Sequence, residues 1–203
     1  MAVDDIQVHS APGGGPWILH FPMEASQVFG KGEVVSMDLD GQVSIGADEL
    51  AGEDLLGITM AGNTATAGTF GALLNPRTNL AYADGDLFPV CIPTPSTLFI
   101  TKNSTSGGTA FDDVVPTTAI IGLTASLALV GTQAWGIDFG PTAGGENCRV
   151  VDVLNRRKES ISVTGETLTL WSAGLATSGS WIVFTIQTHQ MAAAGTELVP
   201  ATA

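Results

Sequence analysis

The chain has 203 residues, of which 44% are hydrophobic and only 13% are charged. A disordered chain shows the opposite balance, so most of this sequence should fold, and its length allows a core without disulfides or metals. Twenty acidic and seven basic residues give a net charge of −13, which argues against a nucleic-acid partner because phosphates must be neutralised by Lys and Arg. No stretch has the roughly 18 uninterrupted apolar residues of a membrane-spanning helix, so we expect no membrane partner.

The N-terminal segment, residues 1–21, is predicted to be an extended arm. Residues 11–16 read Ala-Pro-Gly-Gly-Gly-Pro, which continues neither a helix nor a central strand. The apolar residues Trp17, Ile18, Leu19 and Phe21 follow at its tip. Such a tip either packs on the protein's own core or inserts into a neighbouring molecule, and the sequence leaves both alternatives open.

An antiparallel hairpin is the clearest predicted element. Val35 and Met37 alternate with polar residues before an Asp-Gly pair at 40–41, and Val43 and Ile45 alternate after it. Asp-Gly between two runs of period two is a strong hairpin signal. Because one face of this hairpin is apolar and the other polar, we expect it to lie on a core as part of an antiparallel sheet.

The remaining pattern predicts an all-β fold, an antiparallel β sandwich or barrel with turns about every ten residues. Further strands are predicted at residues 56–60, 87–92, 98–101, 121–129, 135–139, 148–154 and 181–186, with a second hairpin made by 160–163 and 167–171. The sequence allows one continuous sandwich or two small β subdomains. The expected division is an arm at 1–21, a β subdomain at 22–102, a linker at 103–109, a β subdomain at 110–190 and a tail at 191–203.

Residues able to carry chemistry are few and scattered. The histidines His9, His20 and His189 lie near the ends of the chain, and no nucleophile elbow, zinc cluster or phosphate loop occurs. We therefore expect no catalytic residue, metal or cofactor, and a hydrolase using dispersed carboxylates has no defined site. Cys91 and Cys148 stand among apolar neighbours, which predicts buried free thiols, although one disulfide between them stays open.

Basic residues are concentrated in one place. Arg149, Arg156, Arg157 and Lys158 fall within ten residues, whereas the other three bases are scattered. One interpretation is a solvated turn between strands, and the other is a docking spot for an acidic protein partner.

The four tryptophans, Trp17, Trp135, Trp171 and Trp181, also allow two interpretations. Isolated tryptophans in strands usually belong to the core. Together they would instead form a platform on which sugars stack, and the chain would then be a surface recognition module of the β-sandwich type that binds glycans.

A longer pattern in the N-terminal half points to a family. Residues 29–35 read Phe-Gly-Lys-Gly-Glu-Val-Val, the hairpin closes on Asp-Gly, and residues 55–58 read Leu-Leu-Gly-Ile. This order, over residues 28–92, resembles the head decoration, or cement, proteins of tailed bacteriophages. The part from Thr109 onward resembles nothing we can name.

The resemblance implies a structural virion protein without enzymatic activity. Such a protein is made in the host cytoplasm, binds the outside of the icosahedral capsid, forms a homotrimer, and stabilises contacts between major capsid subunits. The residues then expected to contact the capsid are the arm tip (Trp17, Leu19 and Phe21) and the basic cluster (Arg149, Arg156, Arg157 and Lys158).

Overall fold

The computed structural model describes residues 6–11, 13, 15–47, 54–62, 75, 77, 82–103, 117–130, 134–139, 146–155, 157–165, 180–187 and 189–193. In chain order the strands are β1 (Gln7–Ser10), β2 (Ile18–Pro22), β3 (Val34–Met37), β4 (Val43–Ile45), β5 (Gly57–Thr59), β6 (Leu87–Cys91), β7 (Leu98–Asn103), β8 (Thr124–Val130), β9 (Ala134–Asp138), β10 (Cys148–Leu154) and β11 (Ser180–Ile186). The helical turns are a 3-10 turn at Thr118–Ile120, α1 (Ile161–Thr164) and α2 (Gln190–Ala193).

The strands form two antiparallel sheets, which confirms the all-β prediction and is consistent with a β sandwich. The six-stranded sheet has the order β1-β7-β11-β10-β8-β9, and the five-stranded sheet has the order β2-β6-β5-β3-β4. The N-terminal segment contributes to both sheets, because β1 pairs with β7 and β2 pairs with β6. The tip of the predicted arm therefore lies on one of the protein's own sheets.

The predicted hairpin is confirmed as β3 and β4. Their residues Val35 and Val43 are fully buried. The connection is longer than two residues, since the Gly41 amide donates to the Asp38 carbonyl at 3.2 Å. Gly41 has a φ of 78°, a left-handed conformation that glycine adopts without strain. Leu39, which continued the apolar alternation in the sequence, consequently lies in the turn and is 57% exposed.

The main core lies between the two sheets. Both contribute buried side chains to one cluster, which includes Val34, Ile58 and Cys91 from the five-stranded sheet and Phe99, Val150 and Ile182 from the six-stranded sheet. A second cluster covers the opposite face of the five-stranded sheet, where Phe29 stacks on Phe88 with ring centroids 4.9 Å apart. A third, smaller cluster on the opposite face of the six-stranded sheet contains Ile100, Leu154, Trp181 and Val183.

The six-stranded sheet curls at its β9 end. The Thr101 hydroxyl on β7 donates to the Trp135 carbonyl on β9 at 3.2 Å, and both residues are buried. Because β7 and β9 are not neighbours in the sheet order, this bond shows that the β8–β9 hairpin folds over the core.

The prediction of a strand at residues 160–163 is wrong, because this segment enters the helical turn α1. The Gly165 amide closes the turn by donating to the Ile161 carbonyl at 2.8 Å, and Gly165 has a φ of 66°. Ile161 is buried but Val163 is 84% exposed. The apolar alternation at these two positions therefore does not mark one face of a strand.

The predicted tail begins in α2 and is attached to the hairpin. The Gln190 side chain accepts from the Met37 amide at 3.1 Å and donates to the Met37 carbonyl at 3.2 Å. The Gln190 amide also donates to the Leu55 carbonyl at 2.6 Å. The described part of the chain does not include predicted linker residues 104–109, the predicted strand 167–171 or tail residues 194–203.

Candidate docking surface

Strand β2 places the predicted arm-tip residues at the edge of the five-stranded sheet. Leu19 lies opposite Val90 of β6, and Phe21 lies opposite Phe88. Leu19 and Phe21 are partly buried against the second apolar cluster. Trp17 precedes the strand and is 46% exposed. The structure therefore brings the three predicted residues together, two as part of the core and one largely facing solvent.

The outer edge of β2 has a short row of free backbone groups. The Ile92 amide donates to the Trp17 carbonyl at 2.8 Å, so odd-numbered residues of this segment bond inward to β6. Because the direction of the backbone groups alternates along a strand, Ile18 and His20 direct theirs outward, where no residue of the described chain pairs with them. Pro16 and Pro22 occupy the outward positions on either side and have no N–H.

This edge is also apolar and without formal charge. Ile18 is 38% exposed, and so is Leu87 on the adjacent β6. Residues 15–22 read Gly-Pro-Trp-Ile-Leu-His-Phe-Pro, with no acidic residue, lysine or arginine, in a chain of net charge −13. An exposed apolar strand edge is a template for pairing with another chain.

The other edge of the same sheet is covered. Beside β4, the Glu24 amide donates to the Val43 carbonyl at 3.0 Å, and the Gln27 side chain accepts from the Ile45 amide at 3.3 Å. Met23, which directly follows β2, forms a parallel bridge with Val43 of β4, so the two edges of the sheet meet there. Within the described chain, only the backbone groups of Ile18 and His20 on the β2 edge are left open to a partner strand. Sequence reasoning placed Ile18 at the arm tip without choosing it as a contact residue, and it missed His20. The signal for them is the period-two spacing of Pro16, Ile18, His20 and Pro22.

The predicted basic cluster is not one patch. Arg149 is exposed near the start of β10, whereas Arg157 and Lys158 lie in the turn beyond its end. At about 3.3 Å per residue the strand separates the two sites by more than about 15 Å. Asn155 orders the turn by accepting from the Arg157 amide at 2.8 Å. Arg156 lies outside the described residues.

Lys158 is engaged within its own chain. Its ammonium lies 4.7 Å from the centroid of the Trp181 ring, and the ammonium of Lys102 lies 5.6 Å from the same ring. Trp181 is only 7% exposed, so both cations cover the rim of the third apolar cluster through cation–π attraction. The three described cations of the predicted cluster, Arg149, Arg157 and Lys158, are all exposed, and Lys158 is the one among them that lies over the Trp181 ring. Lys102 reaches the Trp181 ring because β7 pairs with β11 and places Lys102 opposite Trp181. The sequence does not reveal this pairing.

A buried carboxyl group was also not predicted. Glu33 is 1% exposed, and the geometry of the described residues gives neither of its carboxylate oxygens an aligned hydrogen-bond donor. Burial raises the pKa of Glu33, and the Gly30 backbone offsets part of that rise. The surrounding turn is held by Thr59, whose hydroxyl accepts from the Glu33 amide at 2.8 Å and donates to the Gly30 carbonyl at 2.7 Å.

The acidic turns serve local structure. Asp38 accepts from two backbone amides of its own turn, at 3.0 and 2.7 Å. Asp86 accepts from the Ala83 amide at 2.9 Å, and this bond, followed by one from Asn75, lowers the pKa of Asp86. Among the described residues, no three His, Cys, Asp or Glu side chains are grouped so that they could hold a metal ion.

The cysteines are buried free thiols, as predicted. Burial raises the pKa of Cys91 to about 11 and that of Cys148 well above its ordinary value. Neither thiol therefore offers a thiolate nucleophile near neutral pH. Of the histidines, His9 and His20 are exposed, whereas His189 is buried and burial lowers its pKa.

The tryptophans do not share one surface. Trp135 and Trp181 are 2% and 7% exposed, whereas Trp17 is 46% exposed. Trp171 lies outside the described residues. Of the three that are described, only Trp17 offers a broad face on which a sugar could stack.

No helix within the described ranges is long and apolar enough to cross a membrane. The chain matches no protein-family model and no curated protein.

Proposed function

We propose that the chain is a structural virion protein that binds the outside of an icosahedral phage capsid and stabilises contacts between major capsid subunits. The observation that carries this proposal is the open edge of β2, where exposed Trp17 and Ile18 flank free backbone groups in a segment without formal charge. Such an edge adds to a partner's sheet through main-chain hydrogen bonds. Repeated over a lattice, contacts of modest strength gain from multivalency.

Two further observations support the same role. The resemblance to decoration proteins covers residues 28–92, and the described part of that range supplies four of the strands of the five-stranded sheet, β3 to β6. The net charge of −13 suits a protein held outside a shell that is filled with DNA. The exposed cations Arg149 and Arg157 are the proposed contacts to acidic groups of the major capsid protein.

The test is binding to capsids of the phage that encodes the chain, stripped of this protein. We expect the purified protein to sediment with the capsids at a saturating ratio and to raise the temperature at which they rupture. A double charge reversal, Arg149→Glu with Arg157→Glu, should weaken sedimentation, and Lys31→Glu serves as a matched reversal outside the cluster. Absence of binding by the unmodified protein would overturn the proposal.

The homotrimer implied by the resemblance is part of this proposal and is tested by the mass of the free protein in solution. Glycan binding has less support, because two of the described tryptophans are buried.

A further inference from the structure

We infer that a C-terminal strap, made of Gln187, His189 and α2, is released from the two sheets in acid, because its closure buries an imidazole that must stay uncharged. Release of this strap concerns how the fold is closed and not how the β2 edge docks, so it lies outside the proposed function. Three features carry it: the path of the strap, the surroundings of His189, and the backbone groups that hold the strap in place.

The strap crosses from one sheet to the other. At its start, the Gln187 amide donates to the Asn147 carbonyl at 2.7 Å, next to the pairing of β10 with β11 in the six-stranded sheet. Farther along, the Gln190 amide donates to the Leu55 carbonyl at 2.6 Å, beside the five-stranded sheet. The Gln190 side chain bonds to both backbone groups of Met37 on β3, at 3.1 and 3.2 Å. His189 therefore lies in the span between two anchored ends.

The imidazole of His189 is buried in this span. His189 is 6% exposed, and its Nδ1 has no hydrogen-bond partner among the described residues. A charged imidazole carries a proton on both ring nitrogens, and each of them needs an acceptor. Protonation inside the closed strap would bury a charge and leave a donor unpaired, which is unfavourable. In the released strap, water accepts from both nitrogens, so protonation favours release.

No neighbouring charge among the described residues offsets this penalty. The titratable groups beside the strap's partners in the chain, or in the apolar cluster against which Met191 packs, are Asp38, Asp54, Tyr82, Glu146, Cys148 and Arg149. The Asp38 carboxylate accepts from two amides of its own turn, and that of Glu146 accepts from the Thr124 hydroxyl at 2.8 Å. Burial alone lowers the pKa of His189, as expected for a ring that no carboxylate pairs with.

The direction of the pH dependence follows from these surroundings. Above pH 6.5, the ordinary pKa of histidine, the ring is neutral in both states and the strap stays closed. Below that pH the released state takes up the proton first, because the pKa of His189 is lowered only in the closed state. The equilibrium constant for release then rises by at most about tenfold for each pH unit, until the pH reaches the lowered pKa. Release uncovers the backbone groups of Met37 and the part of the second apolar cluster against which Met191 packs.

Hydrogen exchange of single amides, followed by NMR and divided by the rate of an unstructured peptide at each pH, tests the release. We expect the protection of the Met37 and Gln190 amides to fall between about pH 7 and pH 5, by at most about tenfold per unit. The Val150 amide, which donates to the Leu123 carbonyl, should keep its protection.

Two variants assign the effect to one ring. His189→Gln should remove the pH dependence, because an uncharged amide then occupies this position. His9→Gln is the matched control, since His9 is exposed and its replacement should leave the exchange profile unchanged.

An NMR titration of the His189 ring supplies a second measurement that needs no variant. We expect the ring to take up its proton over the same pH range in which the Met37 amide loses protection. Unchanged protection of Met37 and Gln190, a loss that persists in His189→Gln, or an equal loss at Val150 would each overturn the inference, as would a charged ring beside a protected Met37 amide. None of these results depends on capsid binding, so the proposed function and this inference fail separately.

Discussion

Replacing Thr59 by valine removes one hydroxyl group and keeps the shape of the side chain. That hydroxyl accepts from the Glu33 amide at 2.8 Å and donates to the Gly30 carbonyl at 2.7 Å, and Thr59 is 1% exposed. Leaving the buried amide without a partner costs about 1–3 kcal/mol, and losing the second bond costs about 1 kcal/mol. The additional buried methyl group returns about 0.8 kcal/mol. We therefore expect the free energy of unfolding to fall by about 2 kcal/mol.

The assay is urea unfolding followed by tryptophan fluorescence and circular dichroism, with the midpoint shifting at constant slope. Thr101→Val is the matched control, because Thr101 is also 1% exposed and its hydroxyl donates to the Trp135 carbonyl at 3.2 Å without bridging two backbone groups of a turn. We expect this control to lose about 1 kcal/mol or less. If Thr59→Val cost no more than Thr101→Val, the Thr59 hydroxyl would not hold the turn as argued.

Three further predictions concern other buried groups. Glu33→Gln should leave the stability nearly unchanged below pH 4.5, the ordinary pKa of the carboxyl group. Above that pH the variant should be increasingly more stable than the unmodified protein, because the raised pKa of Glu33 makes its ionisation oppose folding. A variant whose melting temperature follows the same pH profile as that of the unmodified protein would refute this. Gly57→Ala should lower the free energy of unfolding in urea by about 3 kcal/mol or more, because the added Cβ would lie 2.3 Å from the Cys91 carbonyl oxygen. Gly41→Ala should lower it by only about 1 kcal/mol, because its added Cβ meets open space and only the φ of 78° disfavours alanine. Cys91 and Cys148 should resist alkylation by iodoacetamide at pH 8 until the protein is unfolded; rapid labelling of the native protein would contradict their burial.

Local signals allowed strands β3 to β11 to be predicted, whereas β1 and β2 lie in the segment that was predicted to be an extended arm. The hairpin of β3 and β4 follows from period-two alternation and from a glycine that accepts a positive φ, and both are properties of adjacent residues. The same holds for β10, whose valine-rich sequence is bounded by charged and polar residues. Where the local pattern allowed two structures, the prediction failed. At residues 160–163 the alternation fits a strand, but the left-handed Gly165 closes a helical turn instead.

Long-range placement could not be predicted, because it depends on which strands pair. Residues 7–10 and 18–22 belong to one predicted arm, yet they enter different sheets. Arg149 and Arg157 are close in sequence, but β10 separates them. The burial of Glu33 likewise arises only when the turn at residues 30–33 is bonded to Thr59 on β5.

The candidate site was predicted in its residues but not in its character. Trp17, Leu19 and Phe21 were named for their hydrophobicity, which explains why two of them pack on their own sheet. The open edge comes instead from the backbone between them, where Ile18 and His20 direct their hydrogen-bonding groups outward. Hydrophobicity alone does not report this direction, whereas the register with β6 does.

The shortness of this edge explains how an open strand is compatible with a finite assembly. A long, flat apolar edge recruits strands without limit and aggregates. Here Pro16 and Pro22 restrict the outward donors to Ile18 and His20, and the opposite edge of the sheet is covered by Glu24 and Gln27. One partner strand that pairs with Ile18 and His20 uses up the free backbone groups of this edge. Addition at this edge therefore ends with one partner strand, which is what the proposed contact with a capsid subunit requires.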